Sequence, residues 1–214
     1  MTKKSTSAGI PGSGVHRLGN KPVPGDPFLQ FSRWFREAVR TGNPEPGAVH
    51  LSTCGKRGRP SGRMVLLKGL DPSGFVFFTN YGSRKGKEIK GNPFVALTFF
   101  WPELERQVRI EGKAKKISSA ESDRYFSSRP AESRISAIVS HQSQVISGRE
   151  SLRKQWKQLM EKTGGNGFTR PPVWGGYRVV HYRFEFWQGR EHRLHDRIVF
   201  RKKENKWILE RLAP

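Results

Sequence analysis

Phe94-Val95-Ala96-Leu97-Thr98-Phe99-Phe100-Trp101 and, a few residues on, Gln107-Val108-Arg109-Ile110-Glu111-Gly112-Lys113-Ala114-Lys115-Lys116-Ile117 decide the fold class. The first is an apolar run rich in aromatic residues. The second alternates Val108 and Ile110 with polar neighbours, so both read as strands, the second a long one. Towards the N-terminus, Ala48–Cys54, Arg63–Leu70 and Phe75–Asn80 read as further strands, mostly antiparallel, separated by Gly-rich or Asp71-Pro72-Ser73-Gly74 turns. Ser83-Arg84-Lys85-Gly86-Lys87-Glu88-Ile89-Lys90 is a short basic segment suited to start a helix at Ser83. Further upstream, Asp26 and Pro27 look like an N-cap and first helical position. Phe31, Trp34, Phe35, Ala38 and Val39 then keep helical spacing until Gly42.

Towards the C-terminus, Ser118 and Glu121 form a Ser-x-x-Glu capping box. Helical pieces follow to about Lys162, with breaks near Pro130 and over Ser143–Gly148. A Gly/Pro stretch over 164–172 leads to strands near Tyr177–Gln188, His195–Arg201 and Trp207–Leu212. The prediction is an α+β domain, β-rich and mostly antiparallel, a barrel closed by peripheral helices. Residues 1–24 carry Lys3, Lys4, Arg17 and Lys21 without an acid and with almost no large apolar residue, so a flexible basic arm is expected there and one domain over 25–214.

The 214 residues include 40 Lys plus Arg against 18 Asp plus Glu, a formal charge of +22. With 34% hydrophobic and 11% aromatic residues, the body has the material for a core. One cysteine, Cys54, excludes an intramolecular disulfide and a Cys-based metal site within the chain. No apolar run reaches membrane-span length and residues 1–24 lack a secretory apolar core, so a soluble cytoplasmic protein is expected. No Gly-x-Gly-x-x-Gly, Walker, His-Glu-x-x-His or EF-hand pattern occurs, which argues against a dinucleotide fold, a P-loop enzyme and a metal site.

Cations stand instead at strand ends and turns. Arg63 and Lys68 are five apart and on a regular strand would face opposite sides. Ser83, Arg84 and Lys85 offer a helix start with two cations, either a phosphate cradle or a solvated turn. Tyr125, Arg129 and Ser133 are spaced by four and would share a helix face, which Pro130 interrupts. Arg193, His195 and Arg197 alternate, so on a strand all three face one side, next to Trp187.

In order along the chain, Arg63-Met64-Val65-Leu66-Leu67-Lys68, Phe78-Thr79-Asn80, Ser83-Arg84-Lys85-Gly86, Arg106-Gln107-Val108, Tyr125-Phe126-Ser127-Ser128-Arg129-Pro130, Ser140-His141-Gln142-Ser143, Glu185-Phe186-Trp187-Gln188-Gly189, Arg193-Leu194-His195-Asp196-Arg197 and Glu210-Arg211-Leu212-Ala213-Pro214 closely resemble the pyridoxamine 5′-phosphate oxidase family. The resemblance runs from about Asp26 to the C-terminus and implies a homodimer of split barrels with FMN in two interfacial clefts. It implies FMN contacts from Arg63, Met64, Val65, Leu66, Leu67, Lys68, Phe78, Thr79, Ser83, Arg84 and Lys85 of one subunit. Gln107, Gln142, Ser143, Trp187 and Arg197 would complete the flavin site from across the interface. Lys68, Tyr125, Arg129 and Ser133 would hold the substrate phosphate, and Arg193, Leu194 and His195 would lie by the pyridine ring. The implied reaction takes pyridoxamine or pyridoxine 5′-phosphate and O2 to pyridoxal 5′-phosphate and hydrogen peroxide. The family's Arg-x-x-Tyr stretch is missing from residues 1–24, and Phe78 stands where Tyr is also common. A handful of site cations does not absorb a surplus of 22, so a polyanion-binding role is the rival reading, with the basic arm and Lys113, Lys115 and Lys116 as its footprint.

Overall fold

The computed structural model describes residues 25–165, 167–204 and 206–214. The arm expected over 1–24 lies outside the described residues. Helix α1 (Pro27–Arg40) begins as its cap residues dictate: the Asp26 carboxylate accepts the Phe28 N–H at 2.8 Å and Pro27 opens the first turn. The strands are β1 (Ala48–Cys54), β2 (Pro60–Leu66), β3 (Gly69–Asp71), β4 (Gly74–Asn80), β5 (Phe94–Trp101), β6 (Arg106–Lys116), β7 (Trp174–Gln188), β8 (Asp196–Lys203) and β9 (Lys206–Leu212). The remaining helices are α2 (Arg84–Gly91), α3 (Ser119–Ser127), α4 (Ala131–Val139) and α5 (Arg149–Thr163). Among them no helix is long and apolar enough to cross a membrane.

All nine strands form one antiparallel sheet in the order β2-β1-β5-β6-β7-β4-β3, with β8 and β9 added beside β7. The two ends of that path are joined by chain. Arg63–Leu70, expected as one strand, stops pairing with β1 at Leu66. The Leu67 N–H then turns to the Gly47 carbonyl (2.9 Å) and the Lys68 N–H to the Val76 carbonyl (2.8 Å). This closes the barrel and puts Leu67 and Lys68 at its seam.

Strand β7 is the branch point. Its first half pairs with β4 and its second with β8, while β6 runs beside it throughout, with a bulge at Glu111/Gly112 near the changeover. Along β6, Val108, Ile110 and Ala114 point inward, as the alternation predicts. Phe31 and Trp34 of α1 plug the interior: Phe31 meets Phe75 edge-on at 4.9 Å, and Trp34 meets Phe186 at 5.4 Å. A fully buried aromatic side chain contributes roughly 2–3 kcal/mol of transfer free energy, so α1 is an integral wall of the barrel.

Candidate functional site

At the barrel seam, β2, the end of β4, the start of α2 and the α3–α4 segment surround an open cleft of about 370 Å³. Met64, Leu66 and Lys68 alternate outward into it and Val65 also borders it, whereas Arg63 and Leu67 take inward positions of β2 and its extension. Arg63 therefore stays behind the cleft wall. It donates to the Leu51 carbonyl (3.1 Å) and the Thr53 hydroxyl (2.5 Å), and pairs with Glu88 at 3.3 Å. The five-residue offset does separate Arg63 from Lys68, as strand geometry requires.

Helix α2 starts where the sequence placed it. Ser83, fully buried, caps it by accepting the Gly86 N–H at 3.3 Å. A side chain at Gly86 would lie 2.3 Å from the Tyr81 carbonyl, so only glycine lets the helix start this close to β4. The next residues diverge. Arg84 is exposed and held by Glu88 at 2.9 Å, whereas Lys85 is buried and donates to Gln142 Oε1 (2.9 Å) and the Thr79 hydroxyl (3.2 Å). Burial, and secondly the Arg63 guanidinium, push the Lys85 ammonium below its ordinary value. Gln142 thus meets Thr79 and Lys85 of its own chain, not from across an interface. Ser143 follows at φ 72°, exposed.

The opposite wall is aromatic. Phe78 stacks on Tyr125 (3.9 Å, 17°) and lies nearly parallel to Trp174 (5.4 Å, 13°), and the Arg129 guanidinium covers the Trp174 ring at 4.8 Å. The Tyr125–Arg129–Ser133 helix face does not exist as such: α3 ends at Ser127 and Pro130 caps α4, since proline disfavours helix at the residue before it. Tyr125 and Arg129 still reach the cleft, brought there by Trp174, which the sequence reading did not select. Ser133 lies in the first turn of α4, outside the lining, while Ser136 and Ala137 contribute to it. Burial lowers the Arg129 guanidinium pKa, and its Nη1 is buried without a hydrogen-bond partner. Lys68, Lys85 and Arg129 line the cleft, and no carboxylate does among the described residues. A desolvated guanidinium N–H and two ammonium groups facing neutral atoms make a site for an anion that is planar or phosphorylated.

The remaining candidates lie at the other end of β7. Trp187 is 13 residues from Trp174, about 40 Å of strand. Gln107 pairs with Trp187 across β6 and β7, and His195 packs on the Trp187 ring at 4.7 Å. The expectation that Arg193, His195 and Arg197 share one strand face fails. His192 and Arg193 have φ of 55° and 61° in a short 3-10 turn, which ends extended pairing, and β8 begins only at Asp196. That turn is tied by an Arg190–Asp196 ion pair (2.7 Å) and by the Arg190 N–H donating to His195 Nδ1 at 3.1 Å. Arg197 turns to Glu185 (2.8 Å) and the Ala213 carbonyl (2.9 Å), leaving Arg193 and Leu194 exposed. The two clusters are not brought together within one chain.

Fold and site together define a split-barrel protein with a cation-lined, aromatic-walled cleft. The chain matches the model of the family described as pyridoxamine 5′-phosphate oxidase over residues 35–188, and that of the pyridoxine 5′-phosphate oxidase C-terminal dimerisation region over 174–214. It belongs to the pyridoxamine 5′-phosphate oxidase family, a family of oxidoreductases. A relative from Burkholderia ambifaria named pyridoxine/pyridoxamine 5′-phosphate oxidase is 53% identical over 200 residues, 92% of this chain and 93% of that one. One of the same name from Rubrobacter xylanophilus is 53% identical over 189 residues, 88% of this chain and 87% of that one. Among solved structures, PhzG of Burkholderia lata, in complex with tetrahydrophenazine-1-carboxylic acid, superposes with a TM-score of 0.89 at 30% identity, covering 94% of this chain and all of that one. A related FMN-binding protein from Nostoc punctiforme, at 15% identity, shares the fold with a TM-score of 0.71 over 88% of this chain and 98% of that one.

Proposed function

We propose that this protein is an FMN-dependent oxidase that converts pyridoxamine 5′-phosphate and pyridoxine 5′-phosphate to pyridoxal 5′-phosphate, acting as a homodimer with two shared sites. The observation that carries this reading is the cleft's uncompensated charge: three cations, no carboxylate and a buried, unpartnered Arg129 Nη1. Cofactor and substrate each bring a phosphate ester, and a dry cleft holds two such groups only with several fixed cations and N–H donors. These residues fit that demand.

The cofactor phosphate is assigned to the Ser83-capped start of α2 with Arg84 and Lys85, and its ring system to the wall of Met64, Val65, Leu66 and Thr79. Arg63 and Leu67 back that wall from inside the barrel. Lys68, Tyr125 and Arg129, with Ser133 next along the chain, take the substrate phosphate. A second copy supplies Gln107, Ser143, Trp187 and Arg197 at the cofactor's edge, and Arg193, Leu194 and His195 over the pyridine. FMN, when bound, supplies the acceptor for a hydride from the substrate's exocyclic carbon and hands the electrons to O2, giving hydrogen peroxide. Arg193 orients the pyridine and offsets charge developing on it. Because His195 Nδ1 accepts the Arg190 N–H, the neutral imidazole carries its proton on Nε2, which makes Nε2 the atom that donates to the substrate.

The test is oxygen-dependent formation of pyridoxal 5′-phosphate and peroxide from pyridoxamine 5′-phosphate by purified protein with added FMN. Both products in equal amounts are expected. A flavin-loaded protein that yields neither would transfer the assignment to an unphosphorylated ring substrate, the direction in which the PhzG likeness points.

A further inference from the structure

We propose that the rim of the barrel formed by the β1–β2 turn and the outer face of α2 is a binding surface for single-stranded nucleic acid, separate from the oxidase cleft. Lys56, Arg57 and Arg59 are exposed on the turn, and Lys87 and Lys90, three apart and exposed, occupy the solvent face of α2. Turn and helix are in contact: Gly91 has no side chain, and the stem of Lys56 lies where one would be, 3.1 Å from an ideal Cβ. Between them is a shallow hollow of about 390 Å³ lined by Gly55, Lys56, Lys87, Glu88, Lys90 and Gly91.

The acid in this neighbourhood is already committed. The Glu88 carboxylate accepts from Thr53 and Ser61 (2.6 Å each) and pairs with Arg63 and Arg84, so it neutralises none of the five rim cations. Helix α5 shows the contrast. There Arg153 pairs with Glu150 and Lys157 with Glu161, the pattern of an ordinary solvated charged face. The rim has no such interleaving, and among the described residues none of its five cations is in an ion pair. Five like charges held together without a counter-charge favour binding of a polyanion that releases condensed counterions.

An exposed aromatic ring extends the strip. Pro93, two residues beyond α2, accepts the Ala114 N–H at 2.8 Å, and this contact brings β6 alongside. There Phe94 is 48% exposed and the Lys113 ammonium sits over its ring at 4.8 Å. Cations tracking a backbone beside an accessible ring are what a flexible strand with unpaired bases recognises, since every base has a face to stack. The strip also revises the footprint expected from Lys113, Lys115 and Lys116. Lys113 belongs to it, but Lys116 is turned to the Tyr81 ring at 4.1 Å.

The experiment is fluorescence anisotropy of a labelled single-stranded oligonucleotide with the full chain, titrated between 50 and 200 mM salt, beside Lys56→Ser/Arg57→Ser/Lys87→Ser/Lys90→Ser. Six phosphate contacts predict a roughly 300-fold loss of affinity over that range for the parent, and the two contacts left in the variant roughly 7-fold. The variant should keep its flavin content and its oxidase rate, which separates this proposal from the assignment of the cleft. Absence of binding, binding unchanged in the variant, or equal or tighter binding of a duplex of the same length or of phosphatidylglycerol vesicles would each overturn it.

Discussion

The two ends of β7 are built differently. At the Trp174 end the cleft is preformed: Lys85 is buried on fixed partners, three rings lie nearly parallel, and Arg129 is pinned on one of them. At the Trp187 end the chemistry-bearing groups ride on a turn with two consecutive positive φ values, and Leu194 is 70% exposed. An anion site needs desolvation and fixed donors, which one chain supplies by packing. The second region packs on its own strand ends, His195 on Trp187 and Arg197 on Glu185, but leaves Arg193 and Leu194 exposed, and about 40 Å of strand keeps it from the first. The difference is what the shared sites proposed above require: two half-sites on one chain, each completed by the other half of a second copy.

The largest effect expected at the exposed half is that of Arg193→Leu, a fall in kcat of roughly 10²–10³-fold with flavin content unchanged, measured by steady-state kinetics beside flavin absorbance. Equal loss of flavin and turnover would erase the distinction between the ends. At the preformed half, Arg129→Leu should lower kcat/KM for pyridoxamine 5′-phosphate by about 10–100-fold, chiefly through KM, since charge-assisted hydrogen bonds contribute about 1.5–3 kcal/mol. Co-refolding the two variant chains sharpens the comparison. Half the dimers then pair unlike chains, each with one intact site, so activity at substrate well below the parent KM should return to about a quarter of the parent. No recovery above the two variants measured alone would mean that both halves serve one chain.

Much of this architecture was legible in the sequence where the determinant is local. Asp26–Pro27, Ser83 and the Ser118/Glu121 box start helices at the expected residues, because a cap is satisfied within three or four positions. The stop of β2 was not legible. Leu66-Leu67-Lys68 carries no breaker, and the turn there is set by the Gly47 and Val76 carbonyls, distant in sequence. The strand face expected for Arg193 and His195 does not exist, since alternation describes a strand only while φ stays extended. Trp174 was missed. Its signal was an aromatic just after Pro171-Pro172, where a strand could begin, and only the structure shows Phe78, Tyr125 and Arg129 gathered on it.

A smaller effect should follow from Arg84→Ala with Lys85→Ala: FMN affinity weakened by about 10-fold, read by flavin release on dilution, with the complementation at the Trp187 end intact. The two side chains differ in what they give up. Arg84 leaves Glu88 with one ion pair fewer, whereas removal of Lys85 takes a buried donor from both Thr79 and Gln142 and leaves a space beside the 3.1 Å hydrogen bond those two make with each other. Single variants should therefore divide the loss unequally, with Lys85→Ala the more damaging.

The last effect, on stability and not on the reaction, concerns what makes the first region rigid without touching a ligand. Burial raises the Glu88 pKa, but hydrogen bonds from Ser61 and Thr53 and then Arg84 outweigh it and hold the carboxyl at about 2. Its folded value is thus depressed below the ordinary carboxylate value of 4.5. The stabilisation is then fully present above about pH 5 and lost as pH falls towards about 2. Glu88→Gln should lower stability at pH 7 by on the order of 2 kcal/mol, and the gap between parent and variant in denaturant midpoints should close as the pH is lowered through that window. A gap independent of pH would assign the loss to packing between β1, β2 and α2 and leave the ionised carboxylate without a role in keeping Arg63 behind the cleft wall.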